Sequence, residues 1–393
     1  MSEQKAFLEK IYIKNFLSLQ DVELSLKPLT VLVGANASGK SNVLHALSLL
    51  RTMMTADNLP PVEFVKDRLW AGGASHITFQ LHAAVETTLT TYQLEFTADP
   101  NNPFVSEQLS INDVKVIAIQ SGQGVVRDED SENETKYTSN KLALQSAGAY
   151  GNKPITGALT EFVKEWKFYN FRPDVIRDSL AIFSSDIKDV SESPKLDSYG
   201  FRLPAVLSDW HENMPEGFRS VSESLADSMN IGIDCRTING DNQLYLLEGY
   251  ENPVPLKMAS DGTLRLVAYY TLLNQPELPP LVAIEEPERN LHPGALANIA
   301  GVLEQLAERT QVIITTHSSQ LLDAFSFDKL TNFLGVLFLH NQPGIGTEVI
   351  NLEDQRGSDE SLNGWLADFG IGSAIFHNEI LQDMMEDQSA CRE

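Results

Sequence analysis

The sequence predicts an α/β fold in which a mixed central sheet carries helices and is joined to an antiparallel β subdomain and a helical insertion. Three observations predict it. An apolar run, LTVLVG, stops at a glycine and passes through a small-residue loop into apolar residues at helical spacing. Helix-like and strand-like runs alternate again from Pro255 onward. Between these parts lie short strands with polar turns, then two segments that open on proline.

LEKIYIKNF and VELSL alternate apolar and polar residues, as strands with one buried face do. LTVLVG does not alternate, which suits a strand buried on both faces. SNVLHALSLLRTMM then sets Val43, Leu44, Leu47 and Leu50 on one helical face. ITFQLHAAV and YQLEF read as a strand pair, and KVIAIQ, GVVR and ETKYT as further short strands. Residues 128–134 (DEDSENE) read as a solvated acidic turn. Residues 139–158, rich in Gly, Asn and Ser, read as a linker, and the polar residues 178–200 as loop. TEFVKEWKFYNF passes from helix to strand and stops at Pro173. PAVLSDWHENM and PEGFRSVSESLADSM begin as helices with proline in the first turn. IGIDCRTI and NQLYLLEG are expected to pair around Asn239-Gly240-Asp241-Asn242. TLRLVAYYTLL, PLVAIEE, GALANIAGVLEQLAE and QVIITTHS then alternate helix and strand. There is no internal repeat and no long heptad run, which excludes a long coiled-coil arm.

Composition narrows the function. With 42% hydrophobic and 21% charged residues over 393 positions, the chain can bury a sizeable core and is not largely disordered. Two cysteines, Cys235 and Cys391, make no disulfide framework. MSEQKAFLEKIYIKNF lacks the apolar run of a secretory signal, and no segment approaches the roughly 18 apolar residues of a membrane span. A soluble cytoplasmic protein with no membrane partner is expected. The 29 Lys+Arg against 54 Asp+Glu give a net charge of −25. Such a field repels phosphate backbones at long range and excludes constitutive coating of DNA, while a local basic strip stays open.

The strongest motif is Gly34-Ala35-Asn36-Ala37-Ser38-Gly39-Lys40-Ser41, which fits G-x-x-x-x-G-K-[ST]. Glycines let such a loop turn its N–H groups inward, and the following helix adds the positive end of its dipole. Gly34, Asn36, Ser38, Gly39, Lys40, Ser41 and Asn42 are the expected nucleotide contacts, with the Lys40 ammonium on the phosphates and the Ser41 hydroxyl on Mg²⁺. The apolar strand LVAI ends in Glu285 and Glu286, the pattern of a Walker B element. Glu285 would hold Mg²⁺ through water, and Glu286 would polarise the attacking water. Glu285 stands where Asp is usual, which leaves its metal role open. Ser260-Asp261-Gly262 opens a helix; its Ser-x-Gly core resembles the ABC signature, and by itself it is a good cap. His317 follows the strand QVII, where a histidine can contact the γ-phosphate.

The order P-loop, signature, Walker B, histidine resembles the ABC-type ATPase head of the SMC/RecF/OLD group, nearest its compact bacterial members. IYIKNFLSLQDVEL, VLVGANASGKSNVLHAL, FYNFRPDVIRD, SDGTLRLVAYYTLL, IEEPERNLHP and QVIITTHSSQLLDAF carry the resemblance. It implies an ABC-type P-loop head divided into 1–97 with Walker A, an insertion or lid at 98–240, and 241–393 with signature, Walker B and histidine. It implies two heads that sandwich two ATP molecules, with Ser260 and Gly262 facing the partner's Gly34–Ser41 loop, Glu286 as general base and His317 as γ-phosphate switch. Pro287–Pro293 would cross the dimer interface, and Asn15 and Phe16 would lie near the adenine. No Q-loop glutamine stands out; Gln80 and Gln120 read better as strand residues. The expected function is an ATPase switch, a homodimer or higher homo-oligomer, that controls an effector protein or a DNA transaction in defence or genome maintenance. The alternative is an ATP-binding scaffold with little hydrolysis. Residues 324–393 are too few for the ATPase end strands plus the TOPRIM nuclease domain of OLD-type proteins, so a nuclease in the same chain is not expected.

Overall fold

The computed structural model describes residues 6–56, 60–99, 104–131, 133–138, 141–147, 152–182, 193–238, 241–330, 332–358, 364, 366 and 368–377. In chain order its strands are β1 (Ala6–Phe16), β2 (Leu19–Ser25), β3 (Leu29–Val33), β4 (His76–Val85), β5 (Thr88–Thr97), β6 (Phe104–Ile111), β7 (Val114–Gln120), β8 (Gln123–Arg127), β9 (Glu134–Thr138), β10 (Lys167–Tyr169), β11 (Gly232–Ile238), β12 (Asp241–Leu247), β13 (Val254–Pro255), β14 (Leu281–Glu285), β15 (Gln311–Thr316), β16 (Leu334–Gln342) and β17 (Gly346–Asn351).

A six-stranded mixed sheet has the order β10-β14-β15-β3-β16-β17, parallel except for the last pair. It separates two cores. Val31 and Val33 face one core and Leu32 the other; Val282 and Ile284 alternate likewise with Leu281 and Ala283. Burial on both sides is why these strands read as continuous apolar runs. An eight-stranded antiparallel sheet, β2-β1-β4-β5-β6-β7-β8-β9, builds the second core with the helix Lys40–Thr55. β11, β12 and β13 form a third, antiparallel sheet. The predicted mixed sheet, antiparallel β subdomain and helical insertion are all present.

Alternation in β1 slips at Glu9 and Lys10, both exposed, because the pairing with β4 shifts register between Leu8 and Lys10. Gln311 serves the backbone there: its amide accepts from Leu8 N at 3.0 Å and donates to Leu8 O at 2.8 Å. One fully buried side chain thus fastens the antiparallel sheet to the mixed one.

Three expectations need correction. Residues 139–158 are not a linker, since they contain the helix Ala143–Ala147 and the start of the helix Pro154–Lys164. Glu107 caps the first, accepting from Ala143 N at 2.6 Å and Leu144 N at 2.8 Å. Glu129 caps the second, accepting from Ile155 N at 2.9 Å and Thr156 N at 2.7 Å. The acidic turn is therefore a cap and not merely a solvated loop; Asp128 also pairs with Lys153 at 2.8 Å. The expected loop 178–200 begins inside the helix Pro173–Ile182, and residues 183–192 lie outside the described residues. β5 pairs with β6, and β11 and β12 form a hairpin. Asn239 and Gly240 of that turn, and Cys391, lie outside the described residues. Among the described residues, no helix is long and apolar enough to cross a membrane.

Candidate nucleotide site

β10, β14, β15 and β3 lie side by side and parallel, so their carboxyl ends open on one edge of the sheet. The loop 34–39 leaves β3 at that edge, with Ala37 (φ 62°) and Gly39 (φ 106°) left-handed. A Cβ at Gly34 would lie 2.2 Å from Leu339 O, and one at Gly39 would lie 2.3 Å from Thr347 Oγ1. Both glycines are thus demanded by the close approach of β16 and β17. The same hairpin braces the loop. Thr347 Oγ1 donates to Ser38 O at 3.1 Å, and Asn341 Nδ2 to Ala37 O at 3.3 Å. Asn42 turns its amide to Ser18 Oγ at 2.8 Å, and Ser18 shares a 2.7 Å hydrogen bond with Thr347. Asn36 sits at the exposed tip.

Lys40 is 6% exposed, and its ammonium donates to Gly34 O at 2.8 Å and Ala35 O at 2.7 Å. Burial lowers its pKa, against the raising fields of Glu286 and Glu288. A desolvated cation with mostly neutral oxygen partners gains from an anion.

Ser41 Oγ donates to Glu285 Oε1 at 2.6 Å, and Asn170 Nδ2 to Glu285 Oε2 at 3.1 Å. The longer carboxylate at the Asp position therefore reaches Ser41. This hydroxyl and carboxylate suit Mg²⁺, a hard ion that keeps waters and phosphate oxygens in its remaining positions. No group of three or more His, Cys, Asp or Glu ligands occurs among the described residues, as a fully protein-built metal cage would need.

Glu286 has φ 43°. Its N–H donates to Thr315 O at 3.0 Å, and its carbonyl accepts from Arg265 Nη1 at 3.4 Å. These bonds hold a backbone conformation that costs about 1–3 kcal/mol. Its carboxylate lies 3.2 Å from His317 Nδ1, which is 4.0 Å from Glu288. Glu288 is buried and accepts from Thr316 Oγ1 at 2.6 Å; burial raises its pKa. Glu286 is the accessible carboxylate of the two.

Ser260 caps the helix Asp261–Leu273, accepting from Thr263 N at 3.1 Å. Asp261 pairs with Arg177 at 2.6 Å and accepts from Asn290 at 3.4 Å, and a Cβ on Gly262 would sit 3.2 Å from Asn290 O. The signature thus packs on the 287–293 loop of its own chain. Among the described residues, no hydrogen bond or ion pair joins Ser260–Gly262 to residues 34–41.

Phe16 is fully buried, 6.2 Å from the Phe79 ring. Asn15 is left-handed, and its carbonyl accepts from Trp70 N. Gln80 and Gln120 lie on β4 and β7 of the antiparallel sheet. Sequence reasoning missed Asn170, Ser18, Thr347 and Arg265. Only Asn170 left a signal, as the polar break in FYNF just before Pro173.

The family profile described as "AAA domain, putative AbiEii toxin, Type IV TA system" matches residues 29–323. An OLD nuclease of Thermus scotoductus is 24% identical over 344 residues, 82% of this chain and 61% of that protein. The DNA replication and repair protein RecF of Ligilactobacillus salivarius is 35% identical over 74 residues, 18% of this chain and 20% of RecF. The chain thus spans about three fifths of the OLD nuclease and about one fifth of RecF. Among solved structures, an Smc head bound to the C-winged helix domain of ScpA superposes with TM-score 0.52 at 14% identity, covering 89% of this chain and 99% of that one. The Smc head of Pyrococcus furiosus with an extended coiled coil, bound to the C-terminal domain of ScpA, gives 0.50 at 12% identity, covering 91% and 100%. These two likenesses bear on the fold.

Proposed function

The chain belongs to the AAA-domain family that it matches over residues 29–323, within the ABC-type SMC/RecF/OLD group of ATPases, and on that premise we propose that it binds and hydrolyses ATP as a dimeric switch. One observation carries this reading. Lys40, the Ser41–Glu285 pair and the Glu286–His317 pair converge at the carboxyl ends of adjacent parallel strands.

The 34–39 loop and Lys40 hold the phosphates, and Ser41 with Glu285 holds Mg²⁺, Glu285 being steadied by Asn170. Mg²⁺ held there would supply positive charge against the phosphates. Glu286 accepts the proton of the attacking water, and His317 keeps that carboxylate oriented from 3.2 Å. A nucleotide-binding scaffold without turnover would have no use for this second pair.

Dimer closure is supported by the signature. Ser260 and Gly262 are not bonded to their own P-loop, and Met258 beside them is 70% exposed. Ser260 and Gly262 then meet the nucleotide of a second copy, with residues 287–293 between. Similarity to an OLD nuclease and to RecF supports an output on an effector protein or on DNA, in defence or genome maintenance, within the cytoplasm.

Mixing two inactive variants tests the composite site. Ser260→Arg alone should bind ATP and hydrolyse little, and Lys40→Ala alone should do neither. In a mixed dimer one site carries both lesions and the other none. Phosphate release should recover to about a quarter of wild type under random pairing with independent sites. No recovery despite demonstrated subunit exchange refutes independent composite sites.

A further inference from the structure

We propose that the cleft beside the helix Lys40–Thr55, on the side of β10, is a second anion site that takes a compact phosphate-bearing nucleotide. The cleft, about 620 Å³, lies between the Leu44–Arg51 face of the helix, β10 and residues 193–202. That volume falls in the range of small-molecule sites. The proposal does not rest on the ATPase reading.

Four cations line it: Arg51, Lys167, Lys195 and Arg202. They come from the helix, β10 and the 193–202 segment, in a chain whose net charge is −25. None of the four has an ion pair among the described residues. Arg51 gives its Nε to Lys164 O at 3.2 Å, which leaves its terminal nitrogens free of that bond. The acids on the lining are already engaged. Glu285 lies between Ser41 and Asn170, and Asp197 accepts from Arg202 N at 2.6 Å and Tyr199 N at 3.2 Å. Burial, then the charges of Arg51 and Lys195, lower the Lys167 pKa, against the raising field of Glu165, so the like charges and burial outweigh the nearby carboxylate.

The walls add a preference for a base. Tyr199 is 52% exposed on the lining. Trp166 is fully buried there, and its indole N–H has no acceptor among the described residues. Clustered cations select phosphate, and an open aromatic ring selects a flat heterocycle. The negative field of the whole chain opposes a long polyanion more than a short one, which favours a compact ligand. Arg51 is about 15 Å along the helix from Ser41, so this cluster stands apart from the loop site, although Glu285 lines the cleft as well.

Calorimetric titration of the full chain with AMP, pyrophosphate and 5′-phosphorylated hexathymidylate tests this, in wild type and in Lys40→Ala. The expected result is a saturable site that Lys40→Ala retains, weakened at least about tenfold by Lys167→Glu with Lys195→Glu and kept by the two Lys→Arg changes. Lys195→Glu alone, at an exposed position, carries the test if the double variant misfolds. Binding of AMP identifies a free nucleotide as the ligand; binding of the hexamer without AMP identifies a strand end. Pyrophosphate binding as tightly as AMP and the hexamer overturns the nucleotide assignment. Binding that disappears in Lys40→Ala belongs to the loop and overturns the second site. The absence of saturable binding overturns it too, as does binding that the charge reversals leave unchanged.

Discussion

Glu286→Gln removes a carboxylate and keeps its shape, so it separates chemistry from binding. Loss of a general base costs about 10²–10⁴ in rate, or about 3–5 kcal/mol of barrier. The neighbours place this case toward the upper end. Both oxygens of Glu285 are engaged, by Ser41 and Asn170. Glu288 is buried, one of its oxygens is held by Thr316, and its proton affinity is raised by burial. Glu285 cannot take over without giving up its present partners, and Glu288 is kept from an attacking water by its burial. The glutamine oxygen can still accept from His317, and the backbone bonds to Thr315 and Arg265 do not involve the side chain. ATP affinity should therefore stay within about threefold, while single-turnover phosphate release falls by at least about a hundredfold. The ATP-bound dimer should also live longer. Release within about threefold of wild type would refute the assignment; a loss found in Glu288→Gln instead would move the base there.

Three further outcomes are expected. Asn170→Ala leaves one oxygen of Glu285 without its donor, so half-maximal hydrolysis should need about tenfold more Mg²⁺, with metal-free nucleotide affinity unchanged. Gln311→Leu strands the buried N–H and C=O of Leu8, so urea unfolding should show a loss of about 2–5 kcal/mol, and an unmoved midpoint would contradict the clamp. Burial pushes the Glu107 carboxyl from 4.5 up to about 7, so its share of stability is full below about pH 4.5 and is lost as pH rises through 7, on the order of 3 kcal/mol. The stability difference between wild type and Glu107→Gln should fall across that window, and a flat difference would contradict the burial argument.

Much of the fold was legible because burial writes itself into residue periodicity. β3, β14 and β15 read as apolar runs since each is covered on both faces. The P-loop was legible because its spacing serves a local backbone task. The braces were not. Ser18 and Thr347 are 329 positions apart and ordinary in their local context. Glu129 read as part of a solvated turn and Glu107 carries no local mark, yet each closes a helix from a distant strand or turn. A cap supplied in tertiary contact leaves no mark near the helix it serves, so the segment 139–158 read as a linker.

The same distant contacts bear on how a switch of this kind would work. The 34–39 loop is fixed from outside by Thr347 and Asn341 of the β16–β17 hairpin, and Asn42 by Ser18, which lies between β1 and β2. Ser18 and Thr347 are bonded both through their hydroxyls and from Thr347 N to Ser18 O at 2.7 Å. Gln311 joins the same two sheets at Leu8. Displacement of the antiparallel sheet against the mixed sheet cannot leave the loop untouched, because it must break or drag these bonds. Packed interiors answer strain by shifting between discrete arrangements more than by deforming gradually. Closure of a phosphate-bound loop, in a switch of that kind, would have a short mechanical route through Asn42, Ser18 and β1 to the antiparallel sheet.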